Sequence, residues 1–215
     1  MKRKNQLFAA TILLMAFALW TLLVRTVDVQ PIGPQQTAVG LATLNRWIHQ
    51  HTGVHMALYT LTDWLSLIPI GIVLGFGFVG LRQWTRRKGI RKVDRSLWVL
   101  GIFYLVVAAA YILFEIAPIH YRPVLILGAL EASYPSSTTL LTLTILPTAM
   151  LQLRSRMPRC PLRQWLLGGM GAFTACMVIG RAFSGVHWFA DIVGGILLSA
   201  GLVMLYSFLT TQNDT

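Results

Sequence analysis

The stretch LWVLGIFYLVVAAAYILF, residues 97–114, decides the fold class of this 215-residue chain. It contains no charged residue and no proline. As a helix rising 1.5 Å per residue it is about 27 Å long, roughly enough to cross the ~30 Å hydrocarbon core of a bilayer. The expected solvent for this part of the chain is therefore lipid and not water.

Five more apolar runs of similar length lie along the chain, and the fourth run in chain order is interrupted by Pro147. The first run exceeds the roughly 7–15 apolar residues of a secretory signal and has no small-residue cleavage site close behind it, so we expect a retained anchor. The sequence predicts an all-α polytopic membrane protein with six transmembrane helices. They lie near Leu7–Val24, Trp64–Leu81, Leu97–Phe114, Thr138–Leu153, Trp165–Gly180 and Trp188–Leu209.

Composition agrees with a membrane protein of one domain. Hydrophobic residues make up 55% and charged residues 12%, whereas a soluble domain carries about 25% charged residues. We find no repeat and no composition shift, and expect a single membrane-embedded domain over residues 1–215. The net charge of +11 sits in short blocks between apolar runs, which favours lipid headgroups over nucleic acid as counterions. Cys160 and Cys176 are not expected to form a disulfide or a metal site.

The positions of lysine and arginine predict the orientation. Fourteen of the 18 basic residues lie in the segments 2–4, 82–95 and 154–163, which alternate with the predicted spans. Basic connections face the cytoplasm in membrane proteins. Both termini are therefore predicted to be cytoplasmic, with three connections on the outer face of the cell membrane. The outward connections contain the other four arginines: Arg25, Arg46, Arg122 and Arg181.

The first outward connection has a short apolar face at helical spacing, which predicts an interfacial helix on the outer leaflet. The residues of this face are Leu41, Leu44, Trp47 and Ile48. The same connection contains His49, His51 and His55. Zinc binding is the alternative for these histidines, but no fourth ligand is evident nearby, so we favour an interfacial role and predict no metal. The glycine pairs 71/75 and 77/80, and the small residues 194–195 and 200–201, are expected to permit close helix packing.

The other two outward connections, EIAPIHYRP at 115–123 with YPSSTT at 134–139, and RAFSGVHWFAD at 181–191, hold a concentration of polar residues. His187 and Asp191 are four residues apart, so one helical turn lets the carboxylate accept from Nδ1 and leaves Nε2 as a nucleophile or base. Arg122 and Arg181 offer planar donor pairs that match phosphate oxygens. Ser136 and Ser137 open the fourth predicted helix, where free backbone N–H groups receive anions. Together these groups suit phosphoryl transfer.

Each part has a simpler interpretation by itself. Asp191 can be a helix-start charge, the arginines can reach outer-leaflet headgroups, and the serines can cap a helix. Asp63 is interpreted in this simpler way, as a charge at the start of the second span. The joint pattern on one predicted face favours a phosphate site.

These motifs resemble the three signatures of the type 2 phosphatidic acid phosphatase superfamily, which includes vanadium haloperoxidases. The matching pieces are Arg181-x5-His187-x3-Asp191, Arg122-Pro123 and Tyr134-Pro135-Ser136-Ser137-Thr138. The resemblance implies that His187 attacks phosphorus to give a phosphohistidine, that Asp191 orients it, and that Arg122, Arg181 and the Ser136 region hold the phosphate. It implies a lipid phosphate substrate and no metal or other cofactor. An oligomer is compatible with it.

Two positions depart from the family pattern. Glu115 occupies the place of a phosphate-binding lysine, and Thr138 that of the histidine which protonates the leaving oxygen. Losing a general acid typically costs ~10²–10⁴ in rate, and most for a leaving group that needs its proton. We therefore expect a preference for lipid pyrophosphates, such as undecaprenyl pyrophosphate, over monoesters. His120 and Glu115 are both open candidates for the replacement acid. The alternative function is a catalytically silent relative that binds phospholipid headgroups or a membrane partner.

Overall fold

A computed structural model describes residues 3–211. Lys2 and both chain ends lie outside that range. The described chain consists of eight α-helices and two short 3₁₀ turns, Pro34–Gln36 and Ile90–Lys92. The helices are α1 (Arg3–Thr26), α2 (Ala42–Thr52), α3 (Met56–Leu65), α4 (Leu67–Arg87), α5 (Arg95–Ile116), α6 (Ser137–Arg156), α7 (Pro161–Phe183) and α8 (Phe189–Thr210).

Within residues 3–211, five stretches are long and apolar enough to cross a membrane: Arg3–Thr26, Met56–Arg87, Arg95–Ile116, Pro161–Phe183 and Phe189–Thr210. The second stretch corrects the predicted Trp64–Leu81, because it begins eight residues earlier and ends six residues later. It contains α3 and α4, which meet at Ser66. Ser66 itself has right-handed helical backbone angles.

The sixth predicted span, Thr138–Leu153, lies in α6, which is long but less apolar than the others. Helix α6 contacts α4, α5, α7 and α8, so much of its surface faces protein instead of lipid. Two of its buried threonines donate to carbonyls one turn back, Thr144 to Leu140 at 2.7 Å and Thr148 to Thr144 at 2.7 Å. Such bonds satisfy a buried hydroxyl without another partner. That α6 spans the membrane stays a prediction.

Helix α8 forms the centre of the bundle, against α1 and α6. A Cβ atom on Gly194 would lie 2.6 Å from the Tyr134 ring, and one on Gly201 would lie 2.8 Å from Leu14 of α1. The expected close packing at these small residues is confirmed. The same expectation is wrong, within this chain, for four glycines of α4, because a Cβ added at any of them would meet no described atom within 4 Å. These glycines are Gly71, Gly75, Gly77 and Gly80.

The predicted helix in the first outward connection is present as α2, although its position on a leaflet stays a prediction. The side-chain amide of Asn45 fixes α2 through both its nitrogen and its oxygen. Its nitrogen donates to the Gly40 carbonyl at 2.8 Å, and its oxygen accepts from the backbone N–H of Ala190 at 3.1 Å. Asn45 is fully buried. Helix α2 is therefore fixed to the first turn of α8.

One end of the bundle is held by Asp94, the residue before α5. Its carboxylate accepts from Gln83 of α4 at 2.7 Å, from Arg87 at 2.8 Å and from Arg156 of α6 at 3.0 Å. Three helices are thus joined at the end that carries the basic connections. The helix α5 then runs 22 residues, about 33 Å at 1.5 Å per residue, to the opposite end. The candidate site lies at that opposite end.

Candidate active site

The two polar connections predicted to meet do lie together. The backbone N–H of Ser136 donates to the carbonyl of Asp191 at 3.1 Å. The indole of Trp188 donates to the carbonyl of Tyr121 at 2.8 Å. These bonds join the segment before α6 to the first turn of α8, so residues more than 50 positions apart in sequence form one buried cluster.

Asp191 and His187 are the centre of this cluster, and both side chains are buried. The carboxylate Oδ2 accepts from the backbone N–H of Trp188 at 2.8 Å and from the hydroxyl of Ser133. Nδ1 of His187 lies 3.5 Å from Oδ2 and 3.2 Å from the Ser133 hydroxyl. Because the Ser133 proton is directed to Asp191, its oxygen accepts from Nδ1–H. That tautomer leaves Nε2 of His187 without a proton.

Burial, and then the positive charges of Arg122 and Arg181, hold the pKa of His187 well below its usual range. The imidazole is therefore neutral near neutral pH. Its Nε2 is buried and has no hydrogen-bond partner among residues 3–211. A neutral imidazole whose other nitrogen is fixed by a hydrogen bond is a competent nucleophile.

Arg181 is almost completely buried, at 1% exposure, on the face of α7 that packs against α3. Its guanidinium donates to the Thr62 hydroxyl at 3.2 Å and lies 3.7 Å from the carboxylate of Asp63. Asp63 therefore lies near the end of α3, which corrects its interpretation as a helix-start charge. Such contacts fix the guanidinium plane beside the ring of Tyr59, 4.7 Å from the ring centre.

Arg122 approaches the same tyrosine ring, at 5.6 Å from its centre. One terminal nitrogen pairs with Glu131 at 3.1 Å, while Nε donates to the Ala132 carbonyl at 3.4 Å. The other terminal nitrogen is buried and has no partner in the described part of the chain. Two arginines from separate elements thus converge on Tyr59. Each keeps a buried nitrogen that makes no hydrogen bond with residues 3–211, NH1 in Arg122 and Nε in Arg181.

The start of α6 holds the predicted serines. Ser136 is the N-cap and is completely buried, and its hydroxyl accepts from Thr139 at 3.1 Å. Ser137 is half-buried in the first turn, and Thr138 is buried beside it at 5% exposure. The structure therefore brings the predicted helix N-terminus to the same cluster as Asp191, although the N–H of Ser136 itself is already used.

His120 and Glu115, the two candidate acids, occupy different environments. His120 is buried between the Tyr134 ring and Asp191, with Nε2 3.3 Å from Oδ1. Burial lowers the pKa of His120 to about 4. It thus approaches one carboxylate oxygen while His187 approaches the other. Glu115 is exposed at the end of α5, and within the described chain both arginines pair with other carboxylates instead.

The connection that contains α2 contributes another histidine, His49, near His187. The ring of His49 lies tilted against the ring of Trp188, with ring centres 5.4 Å apart. His49 and His187 line one cavity of about 240 Å³, whose other walls include Ile48, Phe183 and Phe189. By contrast, His51 and His55 direct ring nitrogens to backbone carbonyls of their own segment, at 2.7 and 2.9 Å.

Several contacts of the cluster were absent from the sequence prediction. Ser133 and Glu131 lie just before the YPSSTT motif, and Tyr59 and Thr62 lie on α3. Ser133 alone had a usable signal, because it directly precedes the YPSST segment. The other three are recognised only when α3 and the 120–136 segment are seen beside α7.

The fold and this cluster are those of a multi-pass helical membrane protein with a buried histidine–carboxylate pair. Two buried arginines are close enough for their charges to lower the pKa of the histidine. No family model and no curated protein matches the sequence. The structure is similar to the crystal structure of the first transmembrane PAP2 type phosphatidylglycerolphosphate phosphatase from Bacillus subtilis, with a TM-score of 0.58 and 17% identity. The match covers 97% of this chain and 100% of that chain. The two proteins therefore share a fold over nearly their whole lengths.

Proposed function

We propose that the chain is a membrane lipid phosphatase that works through a phosphohistidine on His187. The observation that supports this most directly is that His187 and both arginines each keep a buried nitrogen without a partner in residues 3–211: Nε2 of His187, NH1 of Arg122 and Nε of Arg181. An unsatisfied buried polar group costs about 1–3 kcal/mol. A phosphate oxygen accepts from both guanidiniums and places phosphorus before the imidazole.

In the proposed reaction, the lone pair of Nε2 attacks phosphorus and the bond to the leaving oxygen breaks. The developing imidazolium keeps its Nδ1–H bond to Ser133 and, through it, to Asp191. The two guanidiniums stabilise the equatorial oxygens, where charge accumulates in phosphoryl transfer. Water then attacks phosphorus, which releases inorganic phosphate and returns the neutral imidazole.

The substrate we propose is a lipid pyrophosphate, undecaprenyl pyrophosphate-like, at the outer face of the cytoplasmic membrane. Thr138 is a very poor acid, so a phosphate leaving group, which needs no proton, is favoured over an alkoxide. The apolar cavity beside His187 suits a hydrocarbon chain. The basic connections at the far end of the bundle favour cytoplasmic termini and an outward site.

The test is phosphate release by purified protein from a panel of lipid monophosphates and pyrophosphates. We expect His187→Ala to abolish phosphate release. The control is His51→Ala, which changes an exposed histidine on α2 and should leave phosphate release unchanged. Faster cleavage of phosphatidic acid than of undecaprenyl pyrophosphate would refute the substrate preference. Equal rates for His187→Ala and the unmodified chain would refute the mechanism and favour the silent, headgroup-binding relative. Thr138→His should raise the monoester rate sharply.

A further inference from the structure

An apolar groove lies between α4 and α5, at the end of the bundle opposite the candidate active site. Its volume is about 530 Å³, within the range of small-molecule sites. Its walls include Phe76, Gly77, Trp84, Val93, Trp98 and Gly101. A Cβ added at Gly77 or Gly101 would meet no described atom within 4 Å. The two glycines therefore leave open a channel between the helices.

The end of this groove is strongly basic. The segment 82–95, which supplies Trp84 and Val93 to the walls, contains seven basic residues and the single acid Asp94. Asp94 already pairs with Arg87 and Arg156. Six other cations of the segment are exposed, and no described carboxylate pairs with them. They are Arg82, Arg86, Lys88, Arg91, Lys92 and Arg95.

Two tryptophans mark the depth of the groove mouth. Trp84 and Trp98 line it, and the indole of Trp98 donates to the carbonyl of Ile90 in the basic connection at 3.4 Å. Indole rings prefer the headgroup boundary of a bilayer. The groove therefore runs from a boundary region with excess positive charge into the hydrocarbon depth.

We propose that this groove binds one anionic glycerophospholipid. An acyl chain lies along the channel at Gly77 and Gly101, and the headgroup phosphate contacts Arg91 and Lys92 at the mouth. A zwitterionic lipid lacks the net charge that six uncompensated cations attract. A second copy of the chain in the same orientation would bring two such basic segments together, which like-charge repulsion disfavours. The site is separate from the phosphatase site and does not depend on catalysis.

The experiment uses the full chain in vesicles that contain brominated lipids, which quench tryptophan on contact. The groove signal is the difference between the unmodified chain and Trp84→Phe/Trp98→Phe. The quantity compared is the mole fraction of brominated lipid that quenches half of this signal. We expect it to be at least about fivefold lower for phosphatidylglycerol than for phosphatidylcholine. Equal quenching by the two lipids would overturn the proposal.

Matched variants localise the effect. Gly77→Leu and Gly101→Leu fill the channel and should abolish the preference for phosphatidylglycerol. Gly71→Leu is the control, since Gly71 has equally open space on the same helix but does not line the groove. A preference that survives both filling variants would overturn the acyl-chain placement.

The charges are tested separately, so the proposal stays falsifiable if a filling variant does not fold. Arg91→Gln/Lys92→Gln removes both proposed headgroup contacts and should abolish most of the preference for phosphatidylglycerol. Arg159→Gln, in the other basic connection, should leave it unchanged. A preference unaffected by the paired change, or equally reduced by Arg159→Gln, would overturn the headgroup placement.

Discussion

Replacing Ser133 with alanine is expected to lower phosphatase turnover by about 5- to 150-fold. The Ser133 hydroxyl donates to Oδ2 of Asp191 and lies 3.2 Å from Nδ1 of His187. Without it, the direct distance from Nδ1 to Oδ2 is 3.5 Å, long for a hydrogen bond. Leaving a buried polar group without a partner costs about 1–3 kcal/mol. At 1.36 kcal/mol per factor of ten, that range gives the expected loss.

The loss should appear in kcat and not in KM, because Ser133 contacts the nucleophile and the carboxylate instead of the phosphate. The imidazolium that forms after attack requires the relay to Asp191 more than the neutral ring does. Phosphate release from lipid pyrophosphate in detergent micelles, measured over a range of substrate concentrations, separates kcat from KM.

The matched control is Ser199→Ala. Ser199 is also completely buried, in α8, and donates to the Leu140 carbonyl at 3.3 Å, away from the site. Both variants lose one buried hydroxyl, so their thermal unfolding should change by similar amounts. If Ser133→Ala and Ser199→Ala had the same kcat, the proposed relay through Ser133 would be wrong.

Two further predictions concern pH and the basic end of the bundle. Because burial lowers the pKa of His187, its imidazole should stay neutral down to below pH 6.5. An imidazole signal of His187 that titrates above that value in NMR would contradict a buried neutral nucleophile. Hydrogen bonds from Gln83 and then Arg87 lower the pKa of Asp94 to about 2, so its stabilisation is complete above pH 3.8 and is lost as pH falls towards 2. Because solvent screens this partly exposed group, Asp94→Asn should lower the free energy of unfolding by only about 1 kcal/mol, which corresponds to about 2–4 °C in Tm. Thermal unfolding of the protein in detergent measures this change, and an unchanged Tm would contradict the helix-joining role.

The sequence predicted the parts of the site whose spacing is local. His187 and Asp191 are one helical turn apart, so their proximity follows from helical geometry alone. The arginines were recognised because they depart from the distribution of the other basic residues. Their partners were not predictable in this way. Glu131 reaches Arg122 across an irregular turn, and Asp63 reaches Arg181 from another helix.

The expected role of small residues shows the same limit. Spacing at 71/75 and 77/80 is compatible with a packed interface or with an open groove, since both require an absent side chain. Only the positions of neighbouring helices distinguish the two. Helix α4 has open space at these glycines, whereas Gly194 and Gly201 of α8 are enclosed by Tyr134 and Leu14.

Helix α6 begins at the site but is not detected by hydropathy, whereas α7 and α8, which carry Arg181 and Asp191, are detected. The difference has a physical reason. Helices that face lipid must be apolar over most of their surface, and they are the ones that hydropathy detects. Helix α6 is enclosed by four others, so it can bury hydroxyls that bond to its own backbone, and its first turn can supply polar groups to the site. Because α6 is enclosed by protein, it can contain polar residues, and those residues lower the hydropathy of the segment. The least apolar of the six predicted segments is therefore the one that begins at the proposed phosphate site.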